Sequence, residues 1–449
     1  MKDTGTTPFI RSLLIANRGE IAVRIIRTCR EMGLRAVAVY SEADAEALHV
    51  RMADQAVCIG PAASADSYLN QNALLTAALS TGCDAIHPGV GFLSENADFA
   101  QAVRQAGLVF IGAEPETIRL LGDKIQAKET ARAAGLPLIP GSDGPVNNVD
   151  VAIKVAEKIG TPLIVKAAAG GGGRGMRIIR NAVELEETIR IASAEALSFF
   201  SDGTIFLERY LEKPRHVEIQ VISDGHGDVL YLGERDCSVQ RNYQKLLEES
   251  PSTAVSPKLR DTMRKDVVRL FRKLKYAGAA TVEFLVENDH HYFMEVNARV
   301  QVEHPVTELI TGVDIIREQI LACSEGRMDI NQNNVTINGY ALETRINALT
   351  PGRVTHFEAP GGPFVRTDTF LYPGCPVPPH YDSMIAKVLV WAQDRKRGLA
   401  RMSRALRDLR IEGIDTNIEE QIRILESPEF RSGRFDTGLY GRLIADQSE

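Results

Sequence analysis

The stretch TVEFLVENDHHYFMEVNARVQVE, residues 281–303, decides the fold. Apolar and polar residues alternate on both sides of a polar centre, which is the pattern of a β-hairpin. With the turn centred on Asp289, facing residues have numbers that sum to 578, so Glu283 stands opposite Glu295 and Asn297 follows on the same side. Two carboxylates held across a strand pair repel each other. A divalent cation between them removes that repulsion, and Glu, Glu and Asn are the hard oxygen ligands that magnesium accepts together with nucleotide phosphates. A solvated acidic sheet face is the alternative. The same parity carried onward adds Arg299, Gln301 and Glu303 to this side, while Val296, Ala298, Val300 and Val302 take the other. Metal-type ligands, then an arginine fork, then a carboxylate suit an anion site beside a metal.

Upstream, RHVEIQV at 215–221 repeats the alternation, with His216, Glu218 and Gln220 on one face. VKAAAGGGGRGMR at 165–177 puts Lys166 and a glycine run between two strand-like pieces. Glycine lets backbone N–H groups approach phosphate oxygens, so the run reads as a hairpin flap over a nucleotide, with a flexible linker as the alternative. Further back, SLLIA, a helical run from Gly19 to Met32 and RAVAVY form a β-α-β unit, and AVCIG, DAIHPG and LVFIG extend it into an open α/β sheet. Its first turn reads NRGE, not GxGxxG, which argues against a dinucleotide-dependent dehydrogenase. Glu116 to Ala134 reads as one long helix closed by Gly135, and Lys124 on it reads as a surface lysine. Seven prolines between Pro351 and Pro379 exclude long helices there and predict a β-rich subdomain. A basic amphipathic helix, Arg395 to Leu409, follows; a solvated outer face explains it better than an anionic partner surface.

The 449 residues predict about three domains at roughly 150 residues each. A hydrophobic content of 44% and a charged content of 25% exclude disorder, collagen and coiled coil. With 52 basic and 59 acidic residues the formal charge is −7, and no basic block offers a nucleic-acid footprint. The six cysteines form no CxxC pair and read as reduced structural thiols. LLIA is too short for a signal-peptide core or a membrane span, so the expected address is the cytoplasm.

Taken together, GDK at 122–124, VKAAAGGGGRGMR at 165–177, RHVEIQV at 215–221, ERDCSVQR at 234–241, MEVNARVQVEHPVTE at 294–308 and ETRINA at 343–348 resemble the biotin carboxylase family of the ATP-grasp superfamily. IANRGEIAVRII near the start and VPPHYDSMIAKV near the end extend the likeness over the whole chain. The resemblance implies an N-terminal open α/β domain over 1–112, a helical linker at 113–138, an ATP-grasp lid at 139–210 and a C-terminal α+β region over 211–449 with a β-rich part. It implies carboxylation of biotin with bicarbonate and ATP, using magnesium or manganese. Lys124, Lys166, Gly172, Gly173, Glu208, Arg209, Tyr210, Leu211, His216, Tyr243, Glu283 and Glu295 match its ATP positions, and Glu283, Glu295 and Asn297 its metal positions. Lys245, Arg299, Gln301, Val302 and Arg345 match its bicarbonate contacts, Glu303 its general base, and Arg345 the group facing biotin.

Two departures from the family pattern stand out, one a pair of residues and one a single residue. Asn242 and Tyr243 replace an Arg-His pair, and Val90 replaces a tyrosine in HPGVGFLSEN. No Met-Lys-Met occurs, so biotin is expected on a separate carrier protein, with carboxyltransferase subunits as further partners and a homodimer as the family's usual state. Acetyl-CoA carboxylase is the expected home, with pyruvate or propionyl-CoA carboxylase as alternatives. Another carboxyphosphate-forming ATP-grasp ligase and a non-catalytic nucleotide-binding subunit are the competing functions.

Overall fold

The computed structural model describes residues 10–445 apart from 143, 147, 168–175 and 201–202. Strands β1 (Ser12–Ile15), β2 (Arg35–Tyr40), β3 (Gln55–Cys58), β4 (Ala85–His87) and β5 (Val109–Phe110) form a parallel sheet in the order β3-β2-β1-β4-β5. Helix α1 (Gly19–Met32) packs Ile21, Ile25, Ile26 and Cys29 inward and ends at Gly33, whose φ of 71° closes it in the left-handed conformation. In place of a phosphate cradle, the turn before α1 is tied into protein. Asn17 Nδ2 donates to the carbonyls of Pro88 and Val90 at 2.7 and 2.8 Å, and Arg18 pairs with Asp44. Gly89 must be glycine for this: its φ is 66°, and a Cβ would stand 2.8 Å from Asn17 Nδ2.

The expected helix from Glu116 to Ala134 is two helices, Pro115–Gly122 and Lys124–Ala133. Asp123 between them is extended, and its carboxylate accepts from the N–H groups of Ile125 and Gln126, both at 2.9 Å. An N-cap of this kind starts a new helix where the periodicity alone runs on.

Strands β6 (Leu163–Ala167), β7 (Met176–Ile179) and β8 (Ile205–Arg209) form a small antiparallel sheet, covered by helices Val149–Ile159 and Leu185–Phe200 over a core of its own. Strands β9 (Arg215–Asp224), β10 (Val229–Arg241), β11 (Gln244–Ser250), β12 (Ala277–Glu287), β13 (His290–Asn297) and β14 (Tyr340–Asn347) belong to an eight-stranded antiparallel sheet in the order β13-β12-β9-β10-β11-β14. Strands Met384–Ala392 and Val365–Thr369 complete it. Val217, Ile219, Val282, Phe284 and Phe293 of this sheet share one core with Leu14, Val37, Ile86 and Phe110 of the first. The proline-rich segment folds as short strands, and the basic helix runs over Arg395–Asp408. No helix among the described residues is long and apolar enough to cross a membrane. All six cysteines are free, four of them buried.

Glu283 pairs with Glu295 and Thr281 with Asn297, as the sum of 578 requires. The turn reaches that register by a different route. Asn288 and Asp289, with φ of 52° and 61°, make a two-residue turn, so Glu287 faces His290 and sums near the tip are 577. An irregularity between the Glu283 and Phe284 pairs, where Met294 is the extra residue, restores 578. The strand parity assumed beyond Asn297 does not hold, because β13 ends there and Glu303 is already the N-cap of helix His304–Thr311.

His49, His87 and His304 are fully buried. Burial lowers their pKa from 6.5 to about 4 for His49 and about 3 for the other two. The unfolded chain takes up their protons first as pH falls. Each therefore withdraws stability from 6.5 down to its folded value, by about 1.4 kcal/mol per pH unit. Their ring resonances are expected not to titrate between pH 5 and 8; a midpoint near 6.5 for any of them would contradict this.

Candidate active site

On the face of the large sheet that carries Glu283 and Glu295, a cavity of about 810 Å³ opens. His216, Tyr243, Lys245, Glu283, Glu295, Asn297, Arg299, Gln301, Val302, Glu303 and Arg345 all line it. Five separate stretches of chain thus bring their predicted residues together. Lys124, Lys166, Glu208, Arg209, Tyr210 and Leu211 are not among its lining residues. On the small sheet Lys166 Nζ lies 2.5 Å and Lys128 Nζ 2.9 Å from the Glu208 carboxylate, and these lysines hold Glu208 below the usual range although burial opposes them. Arg209 is exposed, Leu211 is buried, and the Tyr210 N–H donates to the Pro162 carbonyl. Gly172 and Gly173 lie outside the described residues.

Lys245 is the hub of the cavity floor. Its Nζ lies 2.7 Å from Glu218, 2.7 Å from Glu303 and 3.0 Å from Glu283. Burial opposes its charge, but these carboxylates prevail and hold it well above the usual lysine range. Arg345 reaches Glu303 at 3.0 Å and Glu248 at 2.5 Å. Glu303 is 2% exposed, yet Lys245, Arg345 and Arg235 keep it well below the usual carboxylate range and so ionised at neutral pH. Burial pushes Glu248 the other way, to about 7, against the pull of Arg345.

Glu283 is held low against its burial by Lys245 and by His216, whose Nε2 is 2.9 Å away. It also accepts from Asn297 Nδ2 and Gln301 Nε2, each at 3.0 Å. Glu295 is the contrast. It has no hydrogen-bond or ion-pair partner among the described residues; burial and the facing Glu283 push it upward, with Lys124 pulling down. An unpaired carboxylate opposite a second one, with an amide oxygen nearby, fits a divalent cation held through one or two carboxylates and phosphate.

Several residues that shape the cavity carried no signal in the hairpin. Glu95, from the FLSEN stretch, accepts from Arg299 Nε at 2.8 Å and from the Ala298 N–H at 3.0 Å. Arg235, fully buried, donates to Glu218, Gln220, Thr307, Thr281 and Gln301 at 2.6 to 3.2 Å. The ERDCSVQR motif pointed to it only as part of a resemblance. Tyr243 is 66% exposed at the β10–β11 tip, where Asn242 and Tyr243 take φ of 50° and 65°. Asn is well suited to that conformation. Val90, Phe92 and Tyr381 also line the cavity.

A small antiparallel sheet that carries Lys166, and a large one that carries the glutamate hairpin and the lysine and arginine cluster, make the two-sheet arrangement of an ATP-grasp fold. Three family descriptions match the chain: "Biotin carboxylase, N-terminal domain" over 9–118, "Carbamoyl-phosphate synthase L chain, ATP binding domain" over 123–329 and "Biotin carboxylase C-terminal domain" over 343–441. Biotin carboxylase 1 of Bacillus subtilis is 50% identical over 95% of this chain and 97% of its own. The biotin carboxylase of Campylobacter jejuni, solved as a β-γ-ATP complex, has 45% identity and a TM-score of 0.88 over 97% of this chain and 99% of its own. The biotin carboxylase domain dimer of Hydrogenobacter thermophilus 2-oxoglutarate carboxylase, solved with MgADP, ADP and bicarbonate, has 43% identity and a TM-score of 0.86 over 97% and 98%. This chain belongs to the biotin carboxylase family.

Proposed function

We propose that this enzyme carboxylates biotin with bicarbonate and ATP, and that the observation carrying the proposal is Glu303 held ionised between Lys245 and Arg345 beside the Glu283–Glu295 hairpin. Lys245, Arg299, Gln301 and Val302 hold bicarbonate, and the planar fork of Arg299 suits two of its oxygens. As Lys245 and Arg345 turn toward the anion, Glu303 loses counter-charge, gains basicity and takes the bicarbonate proton. The bicarbonate oxygen attacks the ATP γ-phosphorus, which forms carboxyphosphate and releases ADP. Carboxyphosphate breaks into CO2 and phosphate. Phosphate accepts the ureido N–H proton, Arg345 stabilises the negative oxygen that results, and the biotin nitrogen bonds to CO2.

Lys124, Lys166, Gly172, Gly173, Glu208, Arg209, Tyr210, Leu211, His216 and Tyr243 are the proposed nucleotide contacts, and 139–210 the proposed lid that excludes water. Glu283, Glu295 and Asn297 would hold magnesium or manganese, whose chemistry is neutralisation of charge on the phosphates. Biotin on a separate carrier protein, transfer by carboxyltransferase subunits, a homodimeric state and a cytoplasmic address complete the proposal. Its place is the first half-reaction of acetyl-CoA carboxylase, leading to malonyl-CoA and fatty acids.

ADP release with magnesium, ATP and bicarbonate, with and without free biotin, tests the proposal. Stimulation by biotin is expected. Turnover that needs ammonia and ignores biotin would favour a carbamoyl-phosphate synthase type of reaction, and thermal stabilisation by ATP without ADP release a regulatory subunit.

A further inference from the structure

Lys387 lies beneath the anion site and takes no part in the chemistry above. The strand Met384–Ala392 pairs with β14 so that Lys387 stands directly opposite Arg345, and both cations leave the same face of the sheet. They meet consecutive residues of one turn. Arg345 takes the Glu303 carboxylate at 3.0 Å, and Lys387 Nζ donates to the Val302 carbonyl at 2.7 Å.

Lys387 is 0% exposed, and a buried ammonium costs several kcal/mol unless it is paired. The pairing comes from the other end of the chain. Glu20, in the first turn of α1, places Oε1 3.0 Å from Lys387 Nζ and is itself 4% exposed. Asp368 adds negative charge around Lys387, and Glu343, which burial pushes well above the usual carboxylate range, adjoins it with no hydrogen-bond partner for either oxygen among the described residues. Arg366 acts on Glu20, and His304 feels Lys387 from the helix that follows the turn. A neutral donor would satisfy one carbonyl at far lower desolvation cost, so a charge here points to a demand beyond satisfying Val302. The NRGE turn, whose Asn17, Arg18, Gly19 and Glu20 line the cavity, is thereby tied to the anion site through Lys387.

We propose that Lys387 is a positioning residue for bicarbonate: anchored by Glu20, it fixes the Val302–Glu303 peptide so that the turn's backbone and the Glu303 carboxylate stay aimed into the cavity. This inference rests on the bicarbonate reading of the site. Through it, helix α1 and the strand Met384–Ala392 jointly set the geometry of a turn that belongs to neither.

The test is steady-state ADP release with saturating biotin and varied bicarbonate or ATP. Wild-type turnover independent of bicarbonate would remove the reading of the site itself, before any variant is measured. With that dependence present, the paired variant Glu20→Gln/Lys387→Met removes both buried charges and keeps the volume. It is expected to melt near wild type, to raise the bicarbonate KM about tenfold and to leave the ATP KM within about twofold. Glu20→Gln alone, which weakens the anchor and keeps the donor, is expected to raise the bicarbonate KM about threefold. A merely structural role would move both KM values together or neither. A bicarbonate KM within about twofold of wild type in both folded variants, or a matching rise in the ATP KM, overturns the proposal.

Discussion

Glu303→Gln is expected to lower bicarbonate-dependent ADP release by about 10³-fold, because a positioned base contributes roughly 10²–10⁴-fold and glutamine cannot accept the proton. The shape is kept, so the loss reports chemistry more than packing. The carboxylate sits within 2.7 Å of Lys245 and 3.0 Å of Arg345, and that double pairing keeps it ionised at neutral pH. The glutamine amide can still accept from one of these cations. ATP affinity, read as thermal stabilisation by ADP, is therefore expected to change little. Loss of less than about tenfold in turnover would mean that Glu303 is not the base.

Arg235→Met is expected to cost about 3–5 kcal/mol of stability, the usual consequence of removing one partner from a buried charge pair. The guanidinium is fully buried and satisfies groups on β9 and β12, in the turn at 301 and in the helix that begins at His304. Methionine fills much of the space and replaces none of the donors. Glu218 would then depend on Lys245 alone, at 2.7 Å, and Gln301 would lose its 3.0 Å contact. Denaturant unfolding measures the effect; a change below about 1 kcal/mol would show that the network relaxes around the loss.

These two residues also show what the sequence could and could not tell. The Glu283–Glu295 pairing was legible because period-two alternation fixes a register across one short turn. Even there the turn was offset by one, and the irregularity at Met294 restored the pairing. Glu303 was placed on the correct side by a parity that had already ended at Asn297; the turn brings it in through Lys245 and Arg345 instead. Asp123 carried a capping signal that the helical periodicity masked. Arg235, Glu95, Glu248 and Lys387 were unreadable as site residues on local pattern. Their partners come from strands far apart in the chain, and β11 beside β14 or Lys387 opposite Arg345 is a fact of sheet order. The resemblance supplied Arg345 and Lys245, and the geometry supplied the carboxylates that hold them.

On the proposed function, this cavity joins bicarbonate to the γ-phosphate of ATP and passes the carbon to biotin. The most direct measurement follows oxygen from ¹⁸O-labelled bicarbonate during turnover with free biotin. One bicarbonate oxygen must bridge to phosphorus in carboxyphosphate and stay there when CO2 leaves. Inorganic phosphate is expected to carry one labelled oxygen for each ADP formed, with labelled carboxybiotin beside it. Unlabelled phosphate released alongside ADP would mean that water, not bicarbonate, attacks the nucleotide, and that the proposed reaction is wrong.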